Sequence, residues 1–252
     1  VEQVFDFFYK KFDSMILTSA TLTVDDSFDY ILNELGINDF TIDKSINTKK
    51  FTSPFFLKDQ IKLFVNNSNL VIDSDSFIND IKNIILDLRN HVPKRMLVLC
   101  TAYKQIINFK NKQIINFKNI LSNFDNIYYQ DKTTSKDILI KNYLSNNNSI
   151  LFGTSSFWEG VDLPNDKLEI LIILKVPFSN PYNPIVEAKI EKFRSNNVDP
   201  FINFQLSEAI LKLKQGFGRL IRHQNDIGVC IIADPRILNK SYGQIVLDSL
   251  PV

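Results

Sequence analysis

Met96-Leu97-Val98-Leu99-Cys100 carries no polar side chain, and a strand that reads this way has to be covered on both faces. Leu168 to Val176 and Gly228 to Ala233 are near-continuous in the same manner, and Ile61 to Val65, Ile127 to Tyr129 and Ser149 to Phe152 read as shorter strands. Strands buried on two faces belong to parallel sheets, whose connections are crossovers, usually helical. The helices are legible between them. Phe77, Ile81, Ile84, Ile85 and Leu88 recur at helical spacing ahead of Pro93, and Lys136 to Leu144 follows Tyr129. A long amphipathic segment from Phe201 places Leu206, Ile210, Leu213, Phe217 and Leu220 on one side. The pattern predicts an α/β fold: a mainly parallel sheet with helices on both faces and ligand-bearing loops at the strands' carboxyl ends.

Composition narrows the class. With 252 residues, 44% of them hydrophobic and 23% charged, the chain suffices for one large domain or two small ones. Its 29 Lys and Arg against 28 Asp and Glu leave no global basic field, so any nucleic-acid contact has to be local. Cys100 and Cys230 sit in apolar runs and read as core thiols of a reducing compartment, which points to the cytoplasm. No apolar run approaches the roughly 20 residues of a membrane span, and no signal peptide opens the chain. Because it opens on Val1, we expect a segment of a longer protein.

The polar face of the Phe201 segment is the first candidate site. Gln215, Arg219 and Arg222 gather there, opposite the apolar side, and Gly216 and Gly218 interrupt a helix at about 1 kcal/mol each against Ala. Planar guanidiniums one turn apart suit a bidentate hold on phosphate oxygens, although a salt-bridged surface face would read alike. The second candidate is Gly153-Thr154-Ser155-Ser156-Phe157-Trp158-Glu159-Gly160-Val161-Asp162. Thr154, Ser155 and Ser156 offer hydroxyls to a sugar-phosphate backbone, and Phe157 with Trp158 can anchor the loop. Glu159 and Asp162 lie three residues apart, and neither His91 nor His223 has metal-ligand spacing to them, so no metal site is expected. Thr101, at the end of its strand, is either a phosphate contact or a helix N-cap. We expect the side chains at 215, 219 and 222 to line one cleft rim, near the tips of the loops that start at 101 and 153.

These stretches have a family likeness. Gln-x-x-Gly-Arg-x-x-Arg at 215–222 resembles motif VI of superfamily two helicases, and 153–162 resembles motif V of their DinG/XPD branch. Met15-Ile16-Leu17-Thr18-Ser19-Ala20-Thr21-Leu22 resembles that branch's motif III, and Leu97 to Tyr103 its motif IV. The resemblance implies a second RecA-like lobe, P-loop NTPase-like in fold. It implies that Arg219 and Arg222 act on the γ-phosphate of ATP bound with Mg²⁺, and that Gln215, Gly218, Glu159 and Asp162 lie near the nucleotide. It also implies that Thr101, Thr154, Ser155 and Ser156 contact single-stranded or forked DNA. None of the seven glycines belongs to a P-loop, and no Asp-Glu-Ala-His-like box is present. Phosphate cradle and magnesium ligands are therefore expected from a first RecA-like lobe of the same parent chain, and this lobe alone should not turn over. The four-cysteine iron-sulfur insertion of some relatives is absent from this segment, which has two cysteines. Residues 1–24 are expected to hold the motif III strand and the inter-lobe segment, and 25–252 the second lobe. The alternative is a nucleotide-responsive DNA-binding or regulatory module of a DinG-like 3'-5' exonuclease that no longer unwinds DNA. One oddity stands apart: Lys104 to Asn111 is repeated without change at Lys112 to Asn119. Eight residues overshoot two helical turns by about 80°, so the copies cannot share a face; a local duplication and a fault in the sequence both fit.

Overall fold

The structure is a computed structural model that describes residues 7–8, 10–37, 46–110, 126–158, 168–221 and 223–251. Val4, Phe5, the second copy of the repeat, Glu159, Asp162 and Arg222 lie outside the described residues, as do the side chains of Ser155 and Trp158. The chain divides into two compact units. The larger comprises Phe55–Pro177 and Gln215–Gln244 with the last two residues; the smaller comprises Val1–Pro54, Phe178–Lys214 and Ile245–Leu250.

The larger unit is a six-stranded sheet, β1 (Ile61–Val65), β2 (Met96–Leu99), β3 (Ile127–Tyr129), β4 (Ile150–Gly153), β5 (Ile170–Ile173) and β6 (Gly228–Ile232), in the order β1-β6-β5-β2-β4-β3. Every pairing is parallel. This is the doubly covered sheet that the apolar runs demand. Met96, Val98, Ile150, Phe152, Ile170 and Ile172 form one face, where Phe77, Ile78, Ile81 and Ile85 of the Asp75–His91 helix and Ile106 and Phe109 of the helix at 103–110 join them in one core. Ser74 caps the first of these helices by accepting from the Phe77 N–H. Leu97, Leu99, Leu151, Leu171, Ile173 and Cys230 alternate onto the opposite face and are buried too. There, a methyl on Gly153 would meet the Phe157 ring, and one on Gly228 would meet Leu220, so both side chains lie against this second face. Cys100 and Cys230 are buried free thiols, and burial pushes both upward in pKa.

In the smaller unit, the Pro184–Ser195 helix and a π-helical stretch, Phe201–Leu206, bring Phe193 and Phe204 into a stack at 6.0 Å. Lys189 binds Glu34 at 2.5 Å and lies 4.9 Å over the Phe204 ring. Two expectations are corrected here. Met15 to Leu17 forms no strand; it is irregular and exposed, with Ile16 at 91%. Apolar periodicity encodes a strand only where a neighbour supplies the ladder, and none of the described strands pairs with it. The sequence pattern also anticipates a helix over Asp25 to Leu35; it begins at Asp29, because Asp25 and Asp26 take positive φ, 49° and 58°, in a tight turn between Val24 and Ser27. The Ser27 hydroxyl then accepts from the Asp29 N–H.

Candidate functional site

The carboxyl ends of adjacent strands β2 and β4 carry the two threonines singled out from sequence, and the larger unit holds both in the same way. The Thr101 N–H and hydroxyl both donate to Oε1 of Gln105, at 2.9 and 3.3 Å, and Gln105 Nε2 donates to Asp73 at 2.7 Å. The Thr154 N–H and hydroxyl donate to Oε1 of Gln130, at 2.7 and 2.9 Å, and Gln130 Nε2 donates to the Ser156 hydroxyl at 3.0 Å. Thr101 is thus a donor to the following helix and not the accepting N-cap that was the other reading. Lys136, in the first turn of the Lys136–Leu144 helix, donates to the Ser156 carbonyl at 2.6 Å and lies 5.5 Å over the Phe157 ring. Phe157 is buried, as the anchor reading requires, and Ser156 is exposed. A cation, hydroxyls and main-chain N–H groups at one sheet edge make a donor-rich surface suited to phosphate oxygens.

Electrostatics on this edge are balanced internally. Asp73, with φ 66°, accepts from Gln105 and stands 3.9 Å from the Lys175 ammonium. Asp234, fully buried after β6, accepts from the Val176 N–H at 2.9 Å and from the Arg236 guanidinium at 2.6 Å. Beyond Gln130, the Asp131 carboxylate takes N–H and hydroxyl bonds from Thr133 and Thr134. Those bonds, the Thr134 N–H first, hold its pKa down to about 2.

The Gln215 segment lies elsewhere. Its helix ends at Phe217, not at Arg222 as the amphipathic pattern implied, and residues 218–220 form a turn. Leu206, Ile210, Leu213, Phe217 and Leu220 are all buried, so the apolar side is as read. Arg219 is half-buried, Gly218 exposed, and Gln215 Oε1 is buried with no hydrogen-bond partner among the described residues. Leu220 packs where Gly228 opens β6. Gln60, the residue before β1, points Nε2 at the carbonyls of His223, Gln224 and Asp226, at 3.1, 3.0 and 2.9 Å. These contacts fix the turn carrying Arg219 at the amino edge of β1 and β6. Thr101 and Thr154 follow the carboxyl ends of β2 and β4. In a parallel sheet those are opposite edges, separated by a strand length of about 13 Å. Among the described residues, Gln215 and Arg219 do not share the rim expected with Thr101 and Thr154: a residue that leads into a parallel strand and one that leaves it cannot meet on one edge.

Gln105, Gln130, Gln60 and Lys136 escaped the sequence reading. Gln105 had a signal, since four residues is one helical turn from Thr101. Gln130 had none, because only the β3–β4 pairing brings it beside Thr154.

Residues 85–252 match the model of the helicase C-terminal domain. The chain is 34% identical over 99% of its length to the 3'-5' exonuclease DinG of Bacillus subtilis, covering 26% of that protein. It is 38% identical over 94% of its length to the ATP-dependent DNA helicase YoaA of Haemophilus influenzae, covering 35% of it. It thus spans about a quarter to a third of the curated relatives it matches. A solved XPD helicase superposes with a TM-score of 0.56 at 18% identity, over 75% of this chain and 34% of the other. The match over residues 85–252 shows that the chain belongs to the helicase C-terminal domain family.

Proposed function

We propose that this chain is the second motor lobe of an ATP-dependent DNA helicase of DinG type, acting against a first RecA-like lobe of its parent protein. In this reading residues 1–24 belong with that first lobe and 25–252 form the second. The exposure of Met15, Ile16 and Leu17, an apolar run awaiting a sheet, supports the division. The observation that carries the proposal is the segregation of donors between two edges of one rigid sheet. Thr101, Thr154, Ser155 and Ser156 at the carboxyl edge hold single-stranded DNA phosphates, and Gln215, Gly218 and Arg219 at the amino edge, together with Arg222, meet the nucleotide. Glu159 and Asp162 serve the coupling between ATP and DNA.

The amino-edge residues fit a nucleotide half-site. Arg219 offers a fork for phosphate oxygens. The unsatisfied Gln215 Oε1 needs a donor, which a ribose hydroxyl or a water beside the phosphates would bring and a bare phosphate oxygen would not. Since the sequence holds neither a P-loop nor an Asp-Glu-Ala-His-like box, this reading gives Mg²⁺ to the first lobe. Held there with ATP, the ion would supply positive charge to the phosphates. Arg219 and Arg222 then complete the neutralisation as charge develops, and closing the lobes moves the carboxyl edge along the strand.

The test is steady-state ATPase activity of the full-length protein. Arg219→Ala and Arg222→Ala should each lower the DNA-stimulated rate by about 10³-fold or more and leave nucleotide-free binding of single-stranded DNA within about twofold. An unchanged rate in both variants defeats the proposal. The DinG named as an exonuclease favours one second reading, a nucleotide-responsive module serving a nuclease without unwinding. Strand displacement on a forked duplex separates the two: the nuclease reading predicts ATP-sensitive DNA binding and none of the displacement.

A further inference from the structure

Thr101 and Thr154 come from different strands, and the glutamines that serve them come from unlike places, a helix turn and the residue after β3. The arrangement is nonetheless the same at both. In each, one amide oxygen receives the main-chain N–H and the side-chain hydroxyl of one threonine. The amide orientation is not arbitrary. Gln105 Nε2 faces the Asp73 carboxylate, and the Thr154 N–H can only donate, so Oε1 faces the threonine both times. Helix capping would account for Gln105 alone; it does not account for Gln130, which lies outside any helix.

A threonine has two donors to offer here, its N–H and its O–H. A non-bridging phosphate oxygen, which only accepts, would occupy the place where these donors converge. That place is taken by the glutamine oxygen. We infer that Gln105 and Gln130 are exchange partners for DNA phosphate: each fills a phosphate-oxygen seat on its threonine and must withdraw before the strand can bind. The inference rests on the reading that Thr101 and Thr154 contact DNA phosphates, and adds how that contact is made and broken. With the seat filled, no donor at the strand end is left unsatisfied when the phosphate departs. Binding then becomes an exchange of one acceptor for another, so its free energy is the difference between two hydrogen-bonded states. A charged oxygen still wins the exchange, since charge-assisted bonds are roughly twice as strong as neutral ones, but it holds less tightly than on an empty seat. A lobe that has to release and retake phosphates at each step gains speed from that weakening.

The experiment is fluorescence-anisotropy titration of an oligothymidylate with the full-length protein, without nucleotide, at several salt concentrations. Gln130→Met and Gln105→Met keep the volume and remove the competing acceptor. Each should bind the strand about 3- to 10-fold more tightly, chiefly through slower dissociation, the return on one uncontested hydrogen-bonded seat. Thr154→Val and Thr101→Val should weaken binding and leave the logarithmic salt slope as it is, since a neutral hydroxyl contact releases no counterion. Unchanged affinity in both valine variants would overturn the DNA-contact reading itself. Weakened valine variants alongside Gln130→Met that binds no tighter than wild type would overturn the exchange inference and leave the DNA reading standing. Gln130 is half-buried and decides the matter if the buried Gln105→Met fails to fold.

Discussion

The two edges of the sheet differ in how their polar groups are satisfied. At the carboxyl edge the two site threonines are satisfied internally, although Ser68 Oγ beyond β1 is buried without a partner among the described residues: Thr101 and Thr154 direct their donors to Gln105 and Gln130, whose own amides reach Asp73 and Ser156. At the amino edge donors run short. Gln60 stretches one nitrogen over three carbonyls while its Oε1 is buried without a donor, and Gln215 Oε1 is in the same condition. A ligand at the first edge has to displace something; a ligand at the second supplies what is missing. On the proposed reading, that is a physical basis for one edge letting go of a polymer repeatedly while the other responds to a small molecule's arrival.

The largest effect that would separate the edges comes from their two glycines. A methyl added to Gly153 would sit 2.6 Å from the Phe157 ring, whereas one added to Gly228 would sit 3.0 Å from a Leu220 methyl that can move. Gly153→Ala should cost about 1–3 kcal/mol by overpacking and, in the full-length protein, weaken single-stranded DNA binding. Gly228→Ala should stay within about 1 kcal/mol, spare DNA binding and lower the ATPase rate by shifting the turn that bears Arg219. Equal losses of DNA binding in the two variants would break the comparison.

Next in size is Gln60. Gln60→Leu removes the one donor shared by the His223, Gln224 and Asp226 carbonyls. His223 and Gln224 are exposed, so water replaces much of it, and the cost should be about 1 kcal/mol of stability. The sharper readout is functional: a reduced ATPase rate with unaltered nucleotide-free DNA affinity, and partial recovery in Gln60→Lys, which keeps a donor. Loss of DNA affinity instead would mean that the edges are not separable.

How far the sequence carried the reading follows the same division. The doubly buried strands were legible because burial on two faces leaves no polar residue to confuse the pattern, as in Met96–Leu99. The placement of Thr101, Thr154 and Ser156 just past β2 and β4 was legible because strand ends are where an α/β sheet exposes donors. Two kinds of fact were not. One is which edge a residue occupies: Gln215 and Arg219 share a helical face with chemistry that suits phosphate, but only the topology shows that this segment leads into β6. The other is pairing at long separation. Gln60 lies 163 residues before His223 and Gln130 lies 24 before Thr154, and no local periodicity joins either pair. The strand expected at Met15–Leu17 shows the converse, a pattern written for a neighbour that the described strands do not supply.

The smallest expected effect tests whether the carboxyl edge's self-sufficiency extends to its outermost loop. Asp131 follows Gln130 directly, and its exposed carboxylate takes the N–H and hydroxyl of Thr133 and of Thr134. Since those bonds favour the ionised form, its pKa is lowered to about 2 from 3.8. A carboxylate with a depressed pKa stabilises the fold at pH above its unfolded value, and the contribution disappears as pH falls through the folded one. The turn should therefore be fully formed above about pH 4 and lost toward pH 2. Amide exchange at Thr133 and Thr134 should accelerate over that window relative to Val229 and Cys230 in β6, and Asp131→Asn should remove the pH dependence by holding the turn weakly throughout. Single-stranded DNA binding near neutral pH should drop by no more than about twofold in that variant, because Gln130 keeps its bonds to Thr154 and Ser156. A larger drop would make the 131–134 turn part of the phosphate seat and move the boundary of the DNA-facing edge outward by one loop.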